Sequence, residues 1–217
     1  MSLPVVVAIT GASGAVYARR LLNVLYHSGY DVQLSISQSG QTVFQQELGI
    51  RLELDSFDPT TLVTDSIPAD DLRLTETAKQ NQATKPGTLR YYHFGNFMSP
   101  MASGSARSAG MVVCPCSGGT LAGIVHGNCT NLIQRSAEVH LKERRKLILV
   151  PRETPISLGY IDNLRKAAEA GAVVMPAMPG WYHGVESLDD LIDFMVARIL
   201  DQLEIPHALM QRWGEDA

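Results

Sequence analysis

Residues 110–155 constrain the fold of this chain more than any other stretch. A continuous apolar run at 111–114 and a predicted strand at 146–151, apolar after Lys146, flank a segment at 132–144 in which apolar residues recur every fourth position. Short apolar runs are typical of strands that are buried on both faces, which is the habit of parallel sheets. The stretch therefore predicts strands joined by helices, as in an α/β protein.

The same alternation extends along the rest of the chain, with apolar runs at 5–9 and 172–175 between helical patterns, and with a further strand predicted from Val32, Leu34 and Ile36. It predicts an α/β fold with a doubly wound, Rossmann-like parallel sheet and helices on both faces. We expect residues 1–217 to form a single domain. Residues 51–95 are polar, contain proline and have weak periodicity, so they are expected to be an irregular excursion, with room for a short helix at 70–82.

Composition excludes several classes of protein. The net charge is −4, and the one dense basic cluster, at 142–146, is interrupted by Glu143, so nothing indicates a nucleic-acid partner. The N-terminal apolar run is too short for a signal peptide or a membrane span, and the expected location is the cytoplasm. Three cysteines in or beside core segments are expected to be reduced, and no histidine or cysteine spacing indicates a metal site.

Small and polar residues follow the predicted strands, at the sheet edge where open α/β folds bind ligands. Residues 10–15 (TGASGA) and 116–120 (CSGGT) each precede a helix, and free N–H groups at helix starts bind anions. The first turn has neither the G-x-G-x-x-G spacing nor a P-loop lysine, and it equally suits an ordinary tight turn. With Arg152, Glu153 and Tyr182 added, the convergence predicts a phosphorylated, partly aromatic ligand.

These motifs resemble those of the flavin prenyltransferase family (UbiX type). The resemblance runs over nearly the whole chain and includes TGASGA, CPCSGGTLAGIVHG, NLIQRSAEVHLKERRKLILVPRETP, PGWYH and the terminal RWG. It implies a flavodoxin-like sheet, non-covalent FMN, and metal-independent transfer of a dimethylallyl group from dimethylallyl phosphate to N5 and then C6 of reduced FMN. It further implies that the prenylated FMN serves a partner decarboxylase of the ubiquinone or aromatic-acid pathway, and that the chain forms a homo-dodecamer with sites at subunit interfaces.

The resemblance also implies roles for individual residues, carried over by matched position. FMN would be held by Gly11, Ala12, Ser13, Ser37, Ser117, Gly118, Gly119, Thr120 and Arg152. The prenyl phosphate would be bound by Ser103, Arg135, Lys142, Arg152, Tyr182, Arg198 and Trp213. Protons would be handled by Ser13, Glu47 and Glu153. Phe97 stands where some relatives have tryptophan.

Two other functions share this fold class. The related flavin-dependent peptidyl-cysteine decarboxylases carry a catalytic histidine after the second helix and a PxMNxxMW signature, and neither is present in this sequence. An FMN carrier without chemistry would not need all of Lys142, Arg152, Glu153 and Arg198, which are expected to form one buried charge cluster.

Overall fold

The computed structural model describes residues 3–63, 86–212 and 214, and a six-stranded sheet lies at its centre. The strands are β1 (Val5–Ile9), β2 (Val32–Ile36), β3 (Leu89–Tyr91), β4 (Gly110–Cys116), β5 (Leu147–Pro151) and β6 (Val173–Val174). Their order is β3-β2-β1-β4-β5-β6, and every neighbouring pair is parallel. The predicted doubly wound parallel sheet is confirmed.

Helices cover both faces of the sheet. They are α1 (Ala15–His27), α2 (Gln38–Leu48), α3 (Gly118–Val125), α4 (Leu132–Lys142), α5 (Leu158–Glu169) and α6 (Leu188–Gln202). The core on one face contains side chains of α1, α2 and α6, and the core on the other face contains side chains of α3, α4 and α5. No helix in the described residues is long and apolar enough to cross a membrane.

The uninterrupted apolar runs follow from this two-sided burial. In β1, Val5, Val7 and Ile9 pack under α1 and α2, whereas Val6 and Ala8 pack toward α4. Because successive side chains of a strand point to opposite faces, a strand covered on both sides must be apolar at every position.

The region predicted as an excursion differs from expectation at its end. Residues 89–91 form β3, an edge strand whose Leu89 is in register with Val32 of β2. Residues 54–56 and 59–62 form short 3₁₀ turns that bury Leu54 and Leu62. Residues 64–85, which include the helix considered at 70–82, lie outside the described part of the chain.

Candidate active site

The turns after β1 and β4 are joined by the buried side chain of Thr10. Its hydroxyl donates to the carbonyl oxygen of Pro115 at 2.8 Å and accepts a hydrogen bond from the backbone N–H of Ser117, also at 2.8 Å. The two turns are thereby held together at the carboxyl edge of the sheet. What we call the turn cluster comprises residues 11–13 and 117–120 together with Ser37, Glu47, Arg152 and Glu153.

The turn after β2 meets the turn after β1. Ser37 caps α2, because its hydroxyl oxygen accepts a hydrogen bond from the N–H of Gly40 at 3.0 Å. A Cβ atom on Gly11 would lie 2.4 Å from the Cβ of Ser39, which is far inside van der Waals contact. Glycine is therefore needed at position 11 for the two turns to approach this closely.

Glu47, in the last turn of α2, reaches the start of α1. Its Oε2 accepts hydrogen bonds from the N–H groups of Gly14 at 2.9 Å and Ala15 at 2.8 Å. Partial burial raises the pKa of Glu47, but hydrogen bonds from the Ser13 side chain and these two N–H groups, with the charge of Arg152, lower it below the usual value. Glu47 is therefore ionised at neutral pH, and it accepts hydrogen bonds from N–H groups at the turn where the sequence predicts a phosphate.

The start of α3 keeps free donors. The Ser117 hydroxyl donates to the Thr120 side chain at 3.0 Å, and the N–H of Thr120 donates to it at 3.3 Å. The N–H groups of Gly118 and Gly119 have no acceptor in the described part of the chain. A Cβ on Gly118 would lie 3.0 Å from the ring of Tyr160, so this turn is also closely packed. Its two free N–H groups suit an anion or the polar edge of a flat ligand.

Arg152 and Glu153 follow β5 and border a cavity of about 340 Å³. The Nε of Arg152 donates to the carbonyl oxygen of Ser13 at 3.4 Å, and Glu153 is exposed. Tyr160 also lines the cavity, and its buried hydroxyl has no hydrogen-bond partner in the described residues. Burial raises the pKa of Tyr160 to about 12, so the phenol keeps its proton at neutral pH.

A second group of predicted site residues, the α4 group, comprises Ser103, Arg135 and Lys142. The Nε of Arg135 donates to the carbonyl oxygen of Ala102 at 3.2 Å, and its Nη1 donates to Glu138 at 2.6 Å. The Nζ of Lys142 lies against Gly104, where an added Cβ would be 2.8 Å away. These contacts hold the loop that carries Ser103 against the cations of α4.

A third group, the α6 group, comprises Tyr182 and Arg198. The ring of Tyr182 meets that of Phe194 edge to face, with centroids 5.8 Å apart. Phe194 lies one helical turn before Arg198, so the same part of α6 supports both residues. Arg198 donates to Asp201 at 2.6 Å. Trp213, predicted to bind the donor, lies outside the described residues.

The expectation of one buried charge cluster is wrong for a single chain. Lys142 ends α4 beside the amino edge of the sheet, whereas Arg152 lies at the carboxyl edge, one strand length or roughly 15 Å away. Arg198 is on α6, whose end reaches the amino edge of β4, where Leu203 contacts Gly110. Because α4 and α6 cover opposite faces, the sheet itself separates Lys142 from Arg198.

Sequence reasoning missed three residues that support the site. Thr10 joins two turns, Phe194 supports Tyr182, and Asp201 holds Arg198. Only Asp201 had a readable signal, because a carboxylate three positions after an arginine on a helix can pair with it. The contacts of the other two depend on which strands and loops become neighbours.

Comparisons with known proteins show which proteins this chain resembles. The flavoprotein family model matches residues 1–200. The chain is 43% identical over 209 residues to the flavin prenyltransferase UbiX of Alkalihalophilus pseudofirmus, covering 96% of this chain and 95% of that protein. A crystal structure of AnUbiX (PadA1) in complex with FMN and dimethylallyl pyrophosphate is similar with a TM-score of 0.78 and 33% identity, covering 99% of this chain and 98% of that one. A dodecameric FMN-dependent UbiX-like decarboxylase from Escherichia coli O157:H7 is similar with a TM-score of 0.75 and 32% identity, covering 97% and 98%.

Proposed function

Because the chain belongs to the flavoprotein family and, within it, to the flavin prenyltransferases of the UbiX type, we propose that it transfers a dimethylallyl group from dimethylallyl phosphate to reduced FMN. When bound, reduced FMN supplies the nucleophilic ring atoms N5 and C6. The prenylated FMN then serves a partner decarboxylase.

The observation that carries this proposal is the turn cluster. Its hydrogen bonds join Thr10 to Ser117, Ser13 to Arg152 and Glu47 to the start of α1. The residues present fit a flavin, because α3 offers free N–H groups and the two turns reach a cavity of about 340 Å³ through its lining residues. Arg152 contacts Ser13 of the first turn, and Tyr160 packs against Gly118 of the second. In this proposal residues 11–13 and 117–120, with Ser37 and Arg152, hold FMN.

In this proposal Glu47 and Ser13 accept a proton. The Ser13 side chain hydrogen-bonds to Glu47, and the lowered pKa of Glu47 keeps its carboxylate ionised at neutral pH. An ionised carboxylate behind a serine hydroxyl forms a short relay, in which Ser13 passes a proton to Glu47. We assign to this pair the proton that leaves the ring when the second carbon bond forms.

The leaving phosphate needs positive charge around it. Breaking the C–O bond of the donor builds negative charge on the phosphate, and fixed cations stabilise that charge as it develops. Lys142, Arg152 and Arg198 supply such cations, and Arg135, Ser103 and Tyr182 supply further hydrogen-bond donors. We assign to Glu153, which is exposed beside Arg152, the role of the acid that donates a proton to the leaving phosphate.

Because these cations lie far apart within one chain, we propose that each site is completed by neighbouring copies in a homo-oligomer. We propose a dodecamer, as in the UbiX-like relative from Escherichia coli. Several aromatic rings of the chain are exposed and could be covered by a neighbouring copy. Phe97, six residues before Ser103 in the chain, is 45% exposed, and Trp181 and Tyr182 are 71% and 56% exposed. Packing of copies against these rings would give the allyl cation an apolar, π-rich wall.

Mass spectrometry of the flavin tests the proposed function. Anaerobic incubation of the purified protein with reduced FMN and dimethylallyl phosphate should add one C5 unit, with an unchanged rate in EDTA, and acid precipitation should release the flavin. An unmodified flavin after incubation would contradict the transfer reaction and favour an FMN carrier. Loss of CO2 from a peptidyl cysteine would instead favour the decarboxylase.

A further inference from the structure

A cluster of charged side chains lies at the end of α6 and extends the contact between Arg198 and Asp201 described above. We call it the Asp201 cluster, and it comprises Asp201, Arg198, His207 and Arg212. The Oδ2 of Asp201 accepts from Nη1 of Arg198 at 2.6 Å. Its Oδ1 accepts from Nη2 of Arg212 at 2.6 Å and lies 3.0 Å from Nε2 of His207. One carboxylate therefore joins α6 to the chain segment that follows it.

The ionisation states in this cluster follow from its hydrogen bonds. Burial raises the pKa of Asp201, but hydrogen bonds from Arg212 and His207 outweigh burial and lower it below the usual value. The N–H of Leu209 donates to Nδ1 of His207 at 3.3 Å, and Nε2 of the same ring lies 3.0 Å from Oδ1 of Asp201. One carboxylate thus faces two guanidinium groups, and the cluster carries net positive charge.

The geometry of the pair suits a phosphate. Arg198 and Arg212 bind the two oxygens of the same carboxylate, so their guanidinium groups are neighbours. The Nε and Nη2 of Arg198 have no acceptor among the described residues, and its side chain is 40% exposed. Asp201 is 14% exposed and His207 is 1% exposed, so the anchoring side is buried, whereas the side chains of Arg198 and Arg212 are 40% and 44% exposed. Guanidinium groups held in this way bind phosphate oxygens with two parallel hydrogen bonds.

We propose that Asp201 is a positioning residue that presents Arg198 and Arg212 as a pair to the phosphate of the prenyl donor. Arg212 is then a second guanidinium for that phosphate. The inference rests on the proposed function and deepens it. The segment after α6 is docked through the buried side chains of Ile205 and Leu209, so Asp201 couples donor binding to the placement of this segment.

Asp201→Asn tests positioning against two simpler roles, because the three roles predict different signs. If Asp201 positions the pair, the amide cannot hold both guanidinium groups, and dimethylallyl phosphate binds roughly 10-fold more weakly. If Asp201 contributes only its negative charge, its removal relieves repulsion and the donor binds more tightly. If it only stabilises the fold, the melting temperature falls and donor affinity is unchanged. Either of the last two results would overturn the proposal.

Asp193→Asn is the matched control. Asp193 is also on α6, is 4% exposed and pairs with Arg20 at 2.6 Å, so its loss should lower the melting temperature without changing donor affinity. Arg212→Gln is expected to weaken donor binding about 10-fold to 100-fold, with partial recovery in Arg212→Lys. The double variant of Arg212→Gln and Asp201→Asn should lose less donor-binding free energy than the sum of the two single losses, because both substitutions act on the same pair of arginines.

The readouts are isothermal titration of the FMN-loaded protein with dimethylallyl phosphate and steady-state kinetics. We expect a raised KM for Asp201→Asn, with FMN affinity unchanged. Titration with inorganic phosphate separates this inference from the proposed function. If wild-type protein binds phosphate more tightly than Asp201→Asn but does not prenylate FMN, only the proposed function is contradicted. If the protein prenylates FMN and the donor affinity is equal in wild type, Asp201→Asn and Arg212→Gln, only the inference is contradicted.

Discussion

The hydroxyl of Thr10 accepts a hydrogen bond from the backbone N–H of Ser117 at 2.8 Å, so a side chain at the end of β1 sets the position of the turn after β4. Both turns belong to the proposed FMN site, and Thr10 reaches them from a fully buried position.

Thr10→Val is therefore expected to weaken FMN binding by about tenfold, because the N–H of Ser117 loses its acceptor at nearly constant side-chain volume. The free energy of unfolding should fall by about 1–3 kcal/mol. Thr10→Ser keeps the hydroxyl and should bind FMN nearly normally. Fluorescence titration of FMN measures both variants, and equal affinities for valine and serine would show that the hydrogen bond does not shape the site.

The lowered pKa of Glu47 predicts a pH dependence of stability. Since ionised Glu47 is favoured in the folded state, its contribution is present above the ordinary value of 4.5 and is lost as the pH falls through the lowered folded-state pKa. Wild type should melt at a higher temperature than Glu47→Gln at pH 7, and the gap should close in acid. Thermal unfolding of both proteins between pH 7 and pH 3 measures it, and a gap that widens in acid would reverse the sign argued here.

Glu153→Gln should slow prenyl transfer while leaving donor binding close to normal. The amide keeps the shape and a hydrogen-bond donor but cannot transfer a proton, and general acid catalysis typically contributes about 10²–10⁴ in rate. Anaerobic stopped-flow spectra of reduced flavin under single-turnover conditions follow the chemical step. A near-normal step with weakened donor affinity would mean that Glu153 only orients its neighbour Arg152.

Separation of Lys142 from Arg152 in one chain predicts complementation between inactive variants. Lys142→Ala and Arg152→Ala should each abolish activity alone. Co-expressed as mixed oligomers, they should recover about a quarter of wild-type activity. In a random mixture, about a quarter of the sites take an intact Lys142 from one subunit and an intact Arg152 from its neighbour. Co-expression of Arg152→Ala with Glu47→Ala is the control, since both residues belong to the turn cluster of one chain and should complement far less. Absence of recovery in the first pair would place Lys142 and Arg152 in one subunit's site.

How far the sequence predicts this fold depends on what each segment contacts. Runs such as residues 111–114 reveal β4 because burial on both faces leaves an unbroken apolar signal. β3 has three residues at the sheet edge, which is too short for any periodicity to emerge, so it was missed. The full-length similarity to flavin prenyltransferases confirms the resemblance found in the motifs.

The site is less readable than the fold, because its residues are assembled from distant parts of the chain. Position after a strand correctly indicated the carboxyl-edge location of Ser13, Ser117 and Arg152. No local pattern could show that Glu47 reaches the start of α1, or that the sheet separates Lys142 from Arg198, since both depend on tertiary packing. The chemical roles of these residues stay predictions.

The position of Glu47 also bears on which ligands the first turn can reject. A dinucleotide bound in the Rossmann manner sets its pyrophosphate on the N–H groups that open the first helix. Here the N–H groups of Gly14 and Ala15 already serve a carboxylate from α2, so an incoming pyrophosphate would meet like charge and find those donors taken. We therefore expect this glycine-rich turn to discriminate against NAD and NADP, with Glu47, 33 residues beyond Gly14 in the chain, as the source of that selectivity.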